Sequence, residues 1–269
     1  MFFFSKNAPF FHAEGAEVNA EDADNVLKKN RIHCVGFAPT ACPSVQKLIM
    51  LAKIPFLLKF LLPHRLWNFP PDEKAIYLSF DDGPIPEVTP WVLEQLKNYR
   101  AKATFFCIGD NIRKYPELFR KIAEEGHCIG NHSQNHLNGW RTPAKIYVEN
   151  VLLAQKEMET LIESTESHKL FRPPYGRLKG KQARLLQKKG FRIVMWDVLS
   201  EDYNLKLRPE KCLQNVLKNA GAGSIVVFHD SLKAEINLKA ILPEILEHYS
   251  EKGFEFRTIS LPIKSLQRV

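Results

Sequence analysis

Acidic residues are missing from positions 25–71. The same stretch carries Lys28, Lys29, Arg31, Lys47, Lys53, Lys59 and Arg65, so most of the formal net charge of +8 lies before residue 72. That placement argues against nucleic acid as a partner of the main domain, which also lacks basic strands interleaved with aromatic residues. Cysteine is scarce and scattered. Cys34, Cys42, Cys107, Cys128 and Cys212 are odd in number and form no C-x-x-C pair. This argues against a zinc ribbon or a disulfide framework, and a reducing compartment fits. Cys107 and Cys128 stand in apolar runs and are expected in the core. A secretory leader is not evident: Phe2 to Phe4 is apolar, but no basic region precedes it and no sufficient apolar run follows. This favours the cytoplasm or association with the inner membrane. Long hydrophobic runs are absent too. The most apolar stretch, 48–62, is interrupted by Lys53 and Lys59, broken by Pro55 and short for a bilayer span. Two readings stand for it. Residues 46–65 are a basic amphipathic segment in peripheral contact with a membrane, or the stretch packs against the main domain. The second is preferred.

What is present is ample core material. The chain has 269 residues, of which 45% are hydrophobic, enough for one large α/β domain with an extension. Residues 1–49 show no useful periodicity and read as a poorly ordered, dispensable extension. Residues 50–71 form an apolar, basic lead-in, and 72–264 form the main domain. Within that domain strand-like runs occur at 75–80, 103–107, 127–131, 169–172, 192–196, 224–228 and 255–258. Helix-like stretches lie between them, at 88–99, 116–125, 143–162, 179–189, 209–220 and 237–252. Seven strands alternating with helices imply a parallel sheet, barrel or doubly wound. In either case chemistry collects at the C-terminal strand ends.

Several of those ends are polar. The buried run 75–80 is followed by Asp81 and Asp82, then by a Gly83-Pro84 turn. Paired carboxylates so placed bind a metal, act as acid or base, or form only a solvated turn. After the third strand, His132 and His136 stand four apart. On a helical turn they would share a face and reach one metal ion, though capping or core roles explain such a pair as well. With Asp82 they supply two imidazoles and a carboxylate, the usual donor set of an open catalytic metal site. Arg172 opens a loop stiffened by Pro173 and Pro174, suited to holding a carboxylate, with a surface loop as the alternative. His229 follows 225–228 and would face the same mouth as Asp81, or serve as a structural histidine. Asn138-Gly139-Trp140 reads equally as part of a substrate groove or as a turn with a core tryptophan.

The segments SFDDGP, HSQNH, RPPYG, SEDY and VVFH, in this order and at these separations, resemble the five motifs of the polysaccharide deacetylase family, carbohydrate esterase family four. The resemblance spans roughly 72–263. It implies a distorted (β/α)7 barrel and removal of acetyl groups from N-acetylated sugars with one divalent metal. It implies Asp81 as the base that activates water, Asp82, His132 and His136 as metal ligands, and Arg172 as the residue orienting the base. It further implies Tyr175 as the source of an oxyanion-binding backbone amide. Asp202 would tune His229, the general acid, while Tyr203 and Val227 would line the acetyl pocket. Zinc suits the ligand set, with cobalt, nickel or manganese as alternatives. Three positions depart from the family pattern: Leu199 where an Asp is common, Tyr203 where a Trp is common, and Val227 where a Leu is common. They bear on substrate preference. The implied partner is a carbohydrate, an N-acetylglucosamine oligomer or a peptidoglycan fragment. Two other readings remain: the same chemistry on a small amide or lipid-linked sugar, and a catalytically silent carbohydrate-binding module.

Overall fold

The computed structural model describes residues 52–71, 73–162 and 169–260. The expectation for residues 1–49, with Cys34 and Cys42, lies outside the described residues. Among the described residues eight strands alternate with helices, except that β6 follows β5 directly. In chain order they are β1 (Ala75–Asp81), β2 (Thr104–Cys107), β3 (Cys128–Asn131), β4 (Lys169–Phe171), β5 (Phe191–Ile193), β6 (Val198–Leu199), β7 (Ile225–His229) and β8 (Glu255–Phe256). The helices are α1 (Phe56–Leu61), α2 (Thr89–Asn98), α3 (Gly109–Lys114), α4 (Pro116–Glu124), α5 (Ala144–Leu161), α6 (Gly180–Lys188), α7 (Pro209–Leu217) and α8 (Glu235–Glu251). All the strand pairs are parallel, in the order β5-β4-β3-β2-β1-β7-β6, with β8 added to the start of β1.

Continuous apolar strands follow from this arrangement, because both faces of the sheet are covered. Leu78, Phe80, Val226 and Phe228 face outward into a layer shared with α2 and α8. Phe106, Leu170, Val194 and Ile225 turn the other way and fill the interior. Cys107 is buried and Cys128 is partly buried, both as free thiols. This is the distorted barrel the motifs implied, with one strand more than the sequence reading found. β6 has two residues, too few to show a period, and it lies inside what reads as a polar motif.

β5 and β6 do not pair with each other. The lead-in closes that seam. The Leu66 amide donates to the Ile193 carbonyl at 2.9 Å, and the Met195 amide donates to Leu66 at 2.7 Å. On the other side the Ile54 amide donates to Asp197 at 2.9 Å, and the Leu199 amide donates to Ala52 at 2.8 Å. Trp67 is buried beside Phe171, Ile193 and Met195. The lead-in thus packs against the barrel as the preferred reading had it, with one qualification: α1 buries none of its own residues. Among the described residues no helix is long and apolar enough to cross a membrane.

Candidate active site and metal centre

Polar residues at the strand ends open on one mouth. β1 ends at Asp81, and Asp82 follows in a left-handed conformation with φ of 82°. A buried carboxyl behind it fixes the turn: Asp230 accepts the Gly83 amide at 3.0 Å and the Thr89 hydroxyl at 2.6 Å. A Cβ at Gly83 would lie 2.0 Å from Asp230 Oδ2, so glycine is needed for that approach. Burial pushes the Asp230 carboxyl up to about 8. Asn111 adds a hydrogen bond to the Asp82 carbonyl at 2.7 Å.

His132 and His136 are not on a helical turn, which corrects the sequence expectation. They lie in a loop in which Ser133 and His136 have φ of 66° and 53°. Side-chain acceptors replace the carbonyls a helix would have used. Asn131 Oδ1 accepts the Ser133 amide at 2.8 Å, and Asn150 Oδ1 on α5 accepts the amides of Gln134 and Asn135 at 3.0 and 3.2 Å. Asparagine competes well with the backbone ladder in this way. The two rings still converge, with centroids 5.0 Å apart.

Asp82 Oδ1 lies 3.7 Å from His132 Nε2 and 3.3 Å from His136 Nε2. One ligand atom from each of the three falls within 4.8 Å of the others. Asp82 Oδ1 is buried without a hydrogen-bond partner, a costly state unless something positive completes it. The remaining ring nitrogens are engaged elsewhere. His132 Nδ1 meets the Arg172 carbonyl at 2.9 Å, and His136 Nδ1 meets the Tyr175 hydroxyl at 3.1 Å. With Nδ1 protonated, both Nε2 lone pairs face Asp82. Burial, followed by the neighbouring His136, pushes His132 well below the ordinary histidine range, which keeps it in the neutral form that binds metals. The donor set fits a divalent cation.

Two charged pairs flank that centre. Arg172, fully buried, donates to Asp81 Oδ1 at 2.7 Å, to Ser79 Oγ at 2.8 Å and to the Met195 carbonyl at 3.0 Å. Its guanidinium lies 4.0 Å from the centre of the Phe106 ring. Arg172 is therefore no surface-loop residue. Burial raises the Asp81 carboxyl, and Arg172 works against that rise. On the other flank His229 Nδ1 is 2.7 Å from Asp202 Oδ1, while the His229 amide donates to Asp202 Oδ2 at 2.8 Å. Burial would lower the His229 ring, but Asp202, helped by Asp82 and Asp81, holds it up at about 9. Asn237 fixes the Asp202 carbonyl at 2.9 Å.

The remaining expected residues join the same mouth. Tyr203 packs edge-on against His229 with centroids 4.9 Å apart. Val227 is buried two positions before His229, on the same side of β7. Tyr175, with φ of 59°, caps His136. Five of the six non-glycine residues with positive φ among those described are Asp82, Ser133, His136, Tyr175 and Glu201, all in the motif loops. Strained backbone collects where side chains must be aimed. Asn111 and Asn150 escaped the sequence reading, since each acts through an element distant in sequence. Ser79 stands inside the first motif, and Asn131 and Asp230 directly border two others, but none of the three carried an assigned role.

The family model described as polysaccharide deacetylase matches residues 69–194. A peptidoglycan-N-acetylglucosamine deacetylase of Bacillus cereus is 35% identical over 196 residues, covering 72% of this chain and 90% of that protein. The chain belongs to the polysaccharide deacetylase family. Family membership makes it a hydrolase of linear amide bonds. A chitooligosaccharide deacetylase of Azorhizobium caulinodans is 37% identical over 160 residues, covering 59% of this chain and 75% of that one. A solved peptidoglycan N-acetylglucosamine deacetylase superposes with a TM-score of 0.70 at 30% identity, covering 77% of this chain and 95% of the other.

Proposed function

We propose that this deacetylase removes the acetyl group from N-acetylglucosamine units of a glycan, an N-acetylglucosamine oligomer or a peptidoglycan strand, and that it does so with one divalent cation, zinc by preference. The observation that carries the reading is the convergence of Asp82, His132 and His136 between the Asp81–Arg172 pair and the His229–Asp202 pair. A cation held by Asp82, His132 and His136 would supply Lewis acidity, making water a usable nucleophile near neutral pH. Asp81 takes the proton of the attacking water. Its burial makes it more basic than an exposed carboxylate, and Arg172 aims it. His229 stays protonated against Asp202 and delivers its proton to the departing amine. The Tyr175 amide stabilises the oxyanion, and Val227 and Tyr203 bound the acetyl methyl. The relatives named above support the substrate class, their printed activities being on peptidoglycan and chitooligosaccharides.

The test is acetate release from N-acetylglucosamine oligomers by chelated and metal-restored protein, with Asp81→Asn beside it. Release requiring both the metal and Asp81 supports the reading. No release by folded, metal-loaded protein moves it to a smaller amide, or to the silent binding module. Against that module, every acid, base and ligand position is filled.

One observation favours a second reading, a lipid-linked sugar met at a membrane. α1 exposes Phe56, Leu57, Phe60 and Leu61, each more than 60% accessible. Lys53 and Lys59, which the sequence offered to anionic lipid, instead turn inward to Asp197. Contact would therefore be apolar first. Serine at Phe56 and Phe60 should abolish binding to anionic vesicles. No vesicle binding by the unaltered chain removes this reading.

A further inference from the structure

Two aromatic rings and a guanidinium form an exposed row leading away from the metal centre. Tyr175, in contact with His136, is 56% exposed, and so is Trp140. Arg177 sits between them, its guanidinium 5.9 Å from the Tyr175 ring and 5.2 Å from the Trp140 ring. Trp140 is thus not the core tryptophan of a simple turn. Large rings left in water are costly to present unless something covers them.

The row is held rigidly from behind. Gln182, fully buried on α6, donates to the carbonyls of Gly139 at 2.8 Å and Thr142 at 3.1 Å, and accepts the Lys179 amide at 2.8 Å. The backbones meet at Gly139, where a Cβ would lie 2.1 Å from the Arg177 carbonyl oxygen. The two loops that carry Trp140 and Arg177 are therefore locked together before any ligand arrives.

Their charge is one-sided. Residues 138–145 and 177–181 hold Arg141, Lys145, Arg177, Lys179 and Lys181, with no Asp or Glu. Among the described residues the Arg177 guanidinium makes no ion pair and no side-chain hydrogen bond, so its donors remain available for a planar anion. A sugar face suits the exposed rings, and a carboxylate suits the guanidinium.

We infer that Trp140 and Arg177 form a subsite beside the metal centre for a carboxylated sugar, adjoining the N-acetylated sugar that reacts. This rests on the deacetylation proposed above. The substrate class becomes a glycan whose alternate units carry a carboxylate, such as a peptidoglycan strand freed of its peptides, in preference to a neutral oligomer. Trp140 stacks on the ring of the neighbouring unit, and Arg177 takes its carboxylate.

The test compares acetate release from a peptide-free peptidoglycan strand and from a neutral N-acetylglucosamine oligomer, with strand binding measured in parallel by calorimetry. Arg177→Gln should lower kcat/KM on the carboxylated strand about tenfold, the usual worth of one charge-assisted contact, and several-fold less on the neutral oligomer. Arg177→Lys should recover part of the loss. Raising salt should weaken the strand's advantage. Equal losses on both substrates, or none on either, overturn the subsite while leaving the deacetylase reading intact. If no acetate is released from either substrate, calorimetry decides: about tenfold weaker strand binding by Arg177→Gln keeps the subsite and removes the reaction, and unchanged or absent binding removes the subsite as well.

Discussion

Lys59, on the helix that precedes the barrel, donates to the carboxylate of Asp197, which lies between β5 and β6 and is 3% exposed. Lys53 reaches the same group at 2.9 Å, and Ser224 at 2.6 Å. These bonds tie the lead-in across the open seam between β5 and β6. Asp197→Ala would leave Lys59 partly buried without its counter-charge. We expect a loss of about 2 kcal/mol and a melting point lower by roughly 4–8 °C. Burial works to raise the Asp197 carboxyl, yet Lys59, Ser224 and Lys53 hold it below the ordinary range. Its contribution is therefore complete above about pH 4 and fades as acid titrates through the lower folded value. Thermal unfolding at neutral and acid pH checks both statements, and an unchanged neutral melting point would count against the strap.

Arg172→Met removes the partner of a buried carboxylate. The cost should be about 3–5 kcal/mol, read as a lower denaturant midpoint. Acetate release should fall about a hundredfold or more as Asp81 loses its orientation. Adding Asp81→Asn to that background should cost less than Asp81→Asn alone, because the two groups act as one unit.

If His229 is the acid proposed above, it governs the alkaline limb of the rate profile. As the acid it must keep its proton, and it holds it well above the histidine norm, toward about 9. Asp202→Asn removes the main support, so the limb should move to lower pH by about one unit or more. A limb that stays in place would separate His229 from the acid step.

Tyr175 holds the His136 ring through the 3.1 Å contact at Nδ1. Tyr175→Phe should weaken metal affinity about tenfold, measured by competition with a chromophoric chelator. Asp82→Ala should abolish binding in the same assay. Equal affinities for Tyr175→Phe and the unaltered chain would show that the hydroxyl does not position the ring.

Much of the barrel was legible because its strands are buried on both faces and read as short apolar runs between helices. β6 was not, for two residues carry no period. The sites at strand ends were legible for a local reason: several polar groups stand at or just past the end of an apolar strand, as Asp81 ends β1, His229 ends β7 and His132 follows β3. The reading of His132 and His136 reached a pair that does converge on Asp82, by the wrong local structure. Four-residue spacing suggests a helix, but Asn131 and Asn150 offered the loop better acceptors.

The sequence by itself determined the order of every element but β6, the family, and the Asp82, His132 and His136 donor types that converge in the fold, since all of these reside in residue identity and short-range spacing. Tertiary structure alone decided which way the long side chains turn. Lys53 and Lys59 face a buried carboxylate more than a hundred positions away, Asp230 sits beneath the turn at Gly83, and Trp140 stands in solvent beside Arg177. Each outcome depends on a partner brought close by folding, and no local pattern encodes where that partner will be.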